Sequence, residues 1–231
     1  MSPTGKIEEL AQRQGLLSEV RRRAKGVPAE GTFPAEGPWI SVSRQAGSGG
    51  SELATAVAET LGWHAYDKEI LSAIATETFS DEVVLNRLDE HGVREFDEYL
   101  VGIIVPEDPG QARYLIGLTR VIARLARQGR VVLVGRGAGW ILTPAFGLRV
   151  RVIGPLETRA EQIARLHSIS IDEARRRVTD NDNAQRMFIR QGFHRDIEDP
   201  TGYDLILNAT ELGFEAAREA ILSAAKAKLK L

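Results

Sequence analysis

The chain has 231 residues, of which 43% are hydrophobic and 27% charged, and its net charge is −2. This length suits one α/β domain with its own core. The balanced charge argues against a general nucleic-acid or membrane-surface binder, which would carry a strong basic excess. The absence of cysteine excludes disulfides, thiolate metal sites and a cysteine nucleophile. We predict a cytoplasmic protein, because there is no run of 18 apolar residues and no signal-peptide core.

Residues 1–38 are predicted to be an N-terminal helical arm followed by a linker. Apolar residues recur at helical spacing from Ile7 to Val20, and a basic run occupies 21–25. Three prolines and three glycines between Gly26 and Pro38 are typical of a linker. The basic run could bind a partner or an acidic lipid, or it could be a solvated helix end that complements the helix dipole.

A strand, a glycine-rich loop and a helix follow one another near residue 40. The apolar run Trp39–Val42 predicts a buried strand, and 51–61 predicts a helix with one apolar face. The backbone N–H groups of such a loop, together with the helix dipole, form an anion site. The end of the loop resembles the Gly-Lys-Ser/Thr end of a phosphate loop, with Gly50 at the lysine position. We therefore expect a phosphate site that lacks its usual cation.

Strands and helices alternate along the rest of the chain. Further strands are predicted at Trp63–Tyr66, Val131–Val134, Leu148–Ile153 and Leu205–Asn208, with helical patterns between and after them. Short apolar strands separated by helices predict an α/β fold with three layers, a parallel sheet flanked by helices. In such sheets, ligands bind at the carboxyl ends of the strands. The glycine loop, Asp67 and the segment 135–139 all follow predicted strands directly.

Four segments resemble, in one order, the cytidylate kinase-like family, a branch of the phosphate-loop (P-loop) nucleoside monophosphate kinases. They are residues 40–51, 66–70, 132–137 and 203–208. The resemblance covers about residues 39–225. It implies a P-loop kinase-type fold for a domain at 39–231, with a helical lid insertion at about 157–200. It also implies an ATP- and Mg²⁺-dependent phosphotransferase that acts on a nucleoside monophosphate or a related small acceptor, without a nucleic-acid or membrane partner.

On this resemblance the glycine loop would bind the phosphoryl donor. The residues expected to surround the β-phosphate of ATP with backbone N–H groups are Gly47, Ser48, Gly49 and Gly50. The Ser51 hydroxyl would ligate Mg²⁺, although serine is also a common helix N-cap. Arg44 is the nearest cation that could replace the missing lysine, and it could equally be a structural arginine at a strand end.

Two further positions would contact the acceptor. Asp67 could orient the acceptor or help to hold hydrated Mg²⁺, and it could instead cap the helix that begins at Lys68, itself a second substrate-binding candidate. Arg136 lies between two glycines at the end of a buried strand, where it could clamp a phosphate bidentately or pair with a core carboxylate. Cytidylate kinases proper place an acceptor-binding arginine soon after the Asp67 position, whereas this chain has none before Arg87.

The predicted lid contributes the last candidates. Asp182, Arg186 and Arg190 are spaced for one helical face. The resemblance implies that Asp182 contacts substrate and that the two arginines close over the transferring phosphate. The family has an arginine three residues after the aspartate, where this chain has Gln185, so Arg186 or Arg190 would substitute or the lid would be weakened. The arginines at 175–177 fit a solvated helix end.

Three classes of function are compatible with these patterns. The first is the nucleoside monophosphate kinase-like phosphotransferase. The second is a catalytically weak, nucleotide-binding regulatory protein, which Gly50 and the missing acceptor arginine would explain. The third is a dinucleotide-dependent oxidoreductase, because Gly47, Gly49 and Asp67 mimic its glycines and its ribose-binding acid, although Glu52 occupies the third-glycine position. The identity of the acceptor and the oligomeric state are left open.

Overall fold

The structure is a computed structural model that describes residues 37–67 and 109–231. Its five strands are β1 (Trp39–Arg44), β2 (His64–Tyr66), β3 (Val131–Val134), β4 (Gly147–Ile153) and β5 (Leu205–Asn208). Its helices are α1 (Gly50–Leu61), α2 (Pro109–Gln128), α3 (Ala138–Ile141), α4 (Leu156–His167), α5 (Ile171–Phe193), α6 (Ala209–Leu212) and α7 (Phe214–Leu229). Short 3₁₀ turns lie at Pro144–Phe146 and Pro200–Gly202.

The strands form one parallel sheet in the order β2-β3-β1-β4-β5. Trp39 at the start of β1 lies opposite Val131 of β3 and Gly147 of β4, so the carboxyl ends of these three strands share one edge. The predicted parallel sheet flanked by helices is confirmed. The order does not match a dinucleotide-binding sheet, in which the strand that bears the acid adjoins β1, because here β3 separates β2 and Asp67 from β1.

Alternation along the strands divides the buried residues into two cores. Ile40 and Val42 of β1 face α1 and α7, where they pack with Leu53 and Ile221. On the opposite face, Trp39 packs in a second core built largely from α2, α3 and the end of α5. Each such large apolar side chain contributes about 1.5–3 kcal/mol when it is fully buried. Helices therefore cover the sheet on both faces, as the apolar strands require.

The second face of the central strands is polar towards their carboxyl ends. Ser41 and Ser43 alternate with the apolar residues of β1, and Arg149 and Arg151 do so on β4. The Arg151 Nη1 donates to Ser43 Oγ at 2.7 Å across these two strands. A polar floor thus lies beneath α3 and α5, at the edge where ligands bind in parallel sheets.

Several predicted features lie outside the described residues. These are almost all of the arm and linker at 1–38, Lys68, and the helical patterns between 68 and 104. Within the described ranges, none of the helices combines the length and apolar character that a bilayer span requires.

Candidate active site

The glycine loop between β1 and α1 is held by its own hydrogen bonds. The Gln45 N–H donates to the Val152 carbonyl at 3.0 Å, and the Ser48 N–H and hydroxyl donate to the Gln45 carbonyl at 3.2 and 2.8 Å. Gly49, which has φ +75°, immediately precedes α1 and is its N-cap. The helix therefore begins without a serine cap, so the interpretation of Ser51 as a plain N-cap is wrong.

A cavity of about 400 Å³ opens over this loop, and we call it the loop cavity. The glycine-loop residues that line it are Gly47, Gly49, Gly50 and Ser51, and Asp67 at the end of β2 joins them. Ser48 does not, because it is buried and both of its donors bind the Gln45 carbonyl. The structure thus brings Asp67 together with the predicted phosphate-binding glycines, while Ser48 supports the loop from inside.

A buried ion pair anchors the loop from the side of α4 and α5. The Arg159 Nη1 lies 2.8 Å from Asp182 Oδ2, and the two side chains are 5% and 18% exposed. The same Nη1 donates to the Ala46 carbonyl at 3.1 Å, while the Ala46 N–H donates to Asp182 Oδ1 at 3.2 Å. Both polar groups of Ala46 are therefore held by this pair. Asp182, predicted to bind substrate, is in this structure an anchor of the loop backbone.

A second cavity of about 240 Å³ lies at the carboxyl ends of β1 and β3, and we call it the strand-end cavity. Arg44 and Arg136 contribute its positive charge, and Trp140, Phe188 and Tyr203 contribute aromatic surface. Among the described residues that line this cavity, none carries a carboxylate. Two cations beside three aromatic rings suit an anionic ligand that also has a flat or apolar part.

Arg136 occupies a strained turn directly after β3. Its φ is +52°, between values of +77° at Gly135 and +73° at Gly137. A left-handed conformation costs a non-glycine residue about 1–2 kcal/mol. The Arg136 guanidinium carbon lies 5.6 Å from the centroid of the Phe188 ring on α5, within the range of a cation–π contact. The turn thus holds a planar cation at the wall of the strand-end cavity.

Sequence reasoning missed a buried cation behind this cavity. Arg151 on β4 is only 6% exposed, donates to Ser43, and lies 6.0 Å from the Tyr203 ring. Burial lowers the pKa of Arg151 and raises the pKa of Tyr203. The Tyr203 hydroxyl donates to the Ile197 carbonyl at 2.7 Å, and its ring meets Trp140 edge-on at 5.7 Å. The signal was available, because arginine alternates with valine in a strand that is otherwise apolar.

Arg44 lines both cavities. It is the last residue of β1, and its Nε donates to Ser51 Oγ at 3.1 Å. Asn181 and Gln185 on α5 are the other residues common to both cavities, and the Gln185 amide donates to Asn181 at 2.7 Å. The boundary between the cavities therefore consists of one cation and two amide side chains.

The predicted lid arginines lie outside both cavities in this structure. Arg186 forms an ion pair with Glu198 at 2.8 Å, and this hydrogen bond raises the pKa of Arg186. Arg190 is exposed on α5. Near the start of the same helix, Arg175 pairs with the exposed Glu157 at 2.7 Å. The roles of Arg186 and Arg190 stay predictions, as does a lid at 157–200.

The oxygen ligands near the glycine loop fit a hard cation that is held partly by phosphate. Ser51 Oγ and the Asp67 carboxylate both line the loop cavity. Across the described residues, no three histidine, aspartate or glutamate side chains form a metal site of their own. Mg²⁺ commonly keeps several waters and binds one or two protein oxygens together with substrate phosphates. Ser51 and Asp67 suit that arrangement.

The sheet, the glycine loop and the two adjoining cavities define an α/β protein whose candidate site lies at the carboxyl edge of a parallel sheet. The family model of the cytidylate kinase-like family matches residues 39–211. The chain therefore belongs to that family, and the predicted resemblance is confirmed.

Individual relatives agree with this assignment. The chain is 30% identical over 189 residues to the cytidylate kinase of Natronomonas pharaonis, which covers 81% of this chain and 89% of that protein. It is 30% identical over 173 residues to the cytidylate kinase of Pyrococcus horikoshii, covering 74% and 80%. A solved structure of an uncharacterized protein from Eubacterium ventriosum has a TM-score of 0.64 at 21% identity, covering 82% of this chain and 98% of that one. That likeness shows the fold alone.

Proposed function

We propose that the protein is a phosphotransferase that moves the γ-phosphoryl group of Mg²⁺-bound ATP to a small anionic acceptor, a nucleoside monophosphate or a close relative. The observation that carries the proposal is the junction of the two cavities at Arg44. A kinase needs a donor site and an acceptor site whose phosphates meet at one point, with positive charge at that point. The cytidylate kinases among the relatives support the same class of reaction.

The loop cavity is the donor site in this proposal. The N–H groups of Gly47, Gly49 and Gly50 bind the β-phosphate at the N-terminus of α1, where the helix dipole favours an anion. Gly47 can approach Arg159 closely because it has no side chain, since a Cβ there would lie 2.5 Å from the Arg159 carbonyl oxygen. The loop is thus packed against α4 and presents its other side to the ligand.

The strand-end cavity is the acceptor site. Arg136 binds the acceptor's anionic group, and the rings of Trp140 and Tyr203 contact its flat part. Arg151 adds positive charge from behind Ser43 and fixes the Tyr203 ring beneath it. An oxygen of the acceptor then forms a bond to the γ-phosphorus while the bond from that phosphorus to the ADP oxygen breaks. Because the protein mainly positions groups and neutralises charge, no side-chain nucleophile is needed.

Ser51 and Asp67 would hold Mg²⁺, whose chemistry there is to neutralise the charge on the donor phosphates. The Ser51 hydroxyl also accepts from Arg44, so the side chain that orients Arg44 lies beside the metal position.

The test is an ADP-release assay of the purified protein with ATP, Mg²⁺ and each common nucleoside monophosphate and nucleoside in turn. We expect ADP formation that requires one class of anionic acceptor and is abolished by EDTA. If no acceptor raises ADP above the rate with ATP alone, the phosphotransferase proposal fails. Nucleotide binding in calorimetry without transfer would then select the regulatory alternative, for which Gly50 at the lysine position is the specific observation.

A further inference from the structure

The phosphate-loop pattern reads Gly-x-x-x-x-Gly-Lys-Ser/Thr. Aligned on the final Gly49, its lysine position is Gly50 and its first glycine position is Arg44. The chain therefore departs from the pattern at two positions, and the departures are opposite. An arginine stands at the position of the first glycine, and a glycine stands at the position of the lysine.

The structure shows that these two positions share one volume. A Cβ placed on Gly50 would lie 2.5 Å from the Arg44 Cβ and 3.1 Å from its Cγ. It would also lie 3.1 Å from the Val152 Cβ. Atoms so close cannot coexist without displacing a strand residue, so a side chain at position 50 and the arginine at 44 exclude each other. Glycine at one position is what makes room for the cation at the other.

The Arg44 side chain then reaches the phosphate end of the loop. Its Nε donates to Ser51 Oγ at 3.1 Å, one residue beyond the missing lysine. Its Nη1 lies 2.8 Å from where a Cβ of Gly135 would be, so the guanidinium extends across to the turn after β3. Gly135 has φ +77° and no side chain to block this path. The charge thus lies between the two cavities.

We propose that Arg44 and Gly50 are an exchanged pair, in which an arginine from the end of β1 replaces the phosphate-loop lysine as the cation on the transferring phosphate. This inference rests on the proposed function and deepens it. A guanidinium has five donors in a planar fork. It can therefore keep its bond to Ser51 while other N–H groups bind phosphate oxygens on the donor and acceptor sides, which a single ammonium reaches less well.

The exchange is tested with Arg44→Gln, Arg44→Gly, Gly50→Lys and the double variant Arg44→Gly/Gly50→Lys, with Arg124→Gln on the exposed surface of α2 as control. We expect Arg44→Gln and Arg44→Gly to lower kcat by about 100-fold or more, as does loss of a charge-stabilising donor in the transition state. Gly50→Lys alone should be impaired as well. The kcat of the double variant should be at least about tenfold higher than that of Arg44→Gly, because the lysine at position 50 then has the space that the Arg44 side chain occupied.

Two outcomes would overturn the exchange. The first is a kcat of Arg44→Gln equal to that of the wild type. The second is a kcat of the double variant no higher than that of Arg44→Gly, when thermal unfolding shows that both variants are folded. The affinity for a non-hydrolysable ATP analogue gives a second readout that does not depend on turnover. Arg44→Gln should weaken it by about tenfold or more and the double variant should restore it. If the wild type transfers no phosphoryl group, the proposed function fails, while this binding series still decides whether Arg44 is the loop cation. Unchanged affinity in Arg44→Gln would reject it.

Discussion

The loop cavity and the strand-end cavity meet at one arginine, yet they are built in different ways. The loop cavity is lined by the glycine loop, which the Arg159–Asp182 pair anchors from α4 and α5, together with Asp67 and side chains of those two helices. The strand-end cavity presents side chains that come from β1, the turn after β3, α5 and the segment before β5. The first cavity therefore depends mainly on how the glycine loop is held, and the second depends on how side chains from several elements pack together.

This difference predicts that mutations in the two cavities will affect the binding of the two substrates separately. Loss of the Arg159–Asp182 pair should weaken the binding of ATP, since the N–H groups that bind phosphate would lose their fixed positions. Substitutions in the strand-end cavity should weaken the binding of the acceptor and leave the binding of ATP unchanged. Among the described residues, Arg44, Asn181 and Gln185 are the ones that border both cavities.

The largest effect is expected from Arg159→Met. The substitution removes a buried cation and breaks its ion pair with Asp182, which keeps the Ala46 N–H as a donor. Because Asp182 is 18% exposed, we expect the cost to lie near the lower end of the range for breaking a buried pair, at about 3 kcal/mol. We expect a fall of that size in the free energy of unfolding, measured by urea denaturation, and a rise of about tenfold in the KM for ATP. The KM for the acceptor should change much less, and an equal rise in both would contradict the division between the cavities.

Arg175→Met is the matched control for this experiment. The Arg175–Glu157 pair has almost the same length as the buried pair, at 2.7 Å against 2.8 Å, but its side chains are 39% and 60% exposed. An exposed pair contributes about 0–1 kcal/mol. Arg175→Met should therefore leave the free energy of unfolding close to that of the wild type and both KM values unchanged.

Arg136→Gln should impair the binding of the acceptor in the strand-end cavity instead. The variant removes the cation that we assign to the acceptor's anionic group but leaves the loop cavity intact. We expect a loss of about 100-fold in kcat/KM for the acceptor, corresponding to about 2.7 kcal/mol. ATP affinity by calorimetry should match the wild type. Arg124→Gln, which removes an arginine from the exposed side of α2, should leave both quantities unchanged, and a loss of ATP affinity in Arg136→Gln would refute the assignment.

The pH dependence of stability tests a cluster of charged side chains around Asp204. Asp204, next to Tyr203, accepts from the Arg149 N–H at 2.8 Å and pairs with Lys228 at 2.6 Å. Burial alone would raise the pKa of Asp204, but the hydrogen bonds from Arg149 and Lys228 outweigh it, so the pKa is lowered. A lowered carboxyl pKa stabilises the fold above the unfolded pKa of about 3.9, and this contribution is lost as pH falls through the folded pKa.

Asp204→Asn should therefore cost about 1.5 kcal/mol in unfolding free energy at pH 7, because bonds to a charged group are lost. The difference from the wild type should stay constant down to about pH 5 and shrink below about pH 4. Glu59→Gln on the exposed side of α1 is the control. A difference that is independent of pH down to pH 2 would show that the charge of Asp204 does not contribute to the stability of the fold.

The contrast between the cavities also explains what the sequence could predict. The glycine loop is contiguous, so its chemistry could be inferred from Gly47, Gly49 and Gly50 in order. Asp67 and Arg136 were identified because each directly follows a strand. Arg151, Trp140 and Tyr203 were missed, since they become neighbours only when β4, α3 and the segment before β5 pack together.

Asp182 shows a case in which the sequence pattern suggested a role that the structure does not support. Its helical spacing with Arg186 indicated a shared role, but spacing along one helix says nothing about which neighbour a side chain meets. In the structure Asp182 turns to Arg159 and the glycine loop, whereas Arg186 turns to Glu198. The exclusion between Arg44 and Gly50 is likewise a property of close packing, whereas the sequence alone showed that a lysine was missing and that Arg44 was the nearest cation.

The smallest expected effect comes from Tyr203→Phe, which tests whether the acceptor wall is held by one hydroxyl. The Tyr203 hydroxyl donates to the Ile197 carbonyl at 2.7 Å, and this bond keeps the ring against Trp140 and near Arg151. Its loss should lower the free energy of unfolding by about 1 kcal/mol and raise the acceptor KM about threefold, with the ATP KM unchanged. A stability loss without any change in the acceptor KM would show that the hydroxyl supports the fold but is not needed to position the ring for the acceptor.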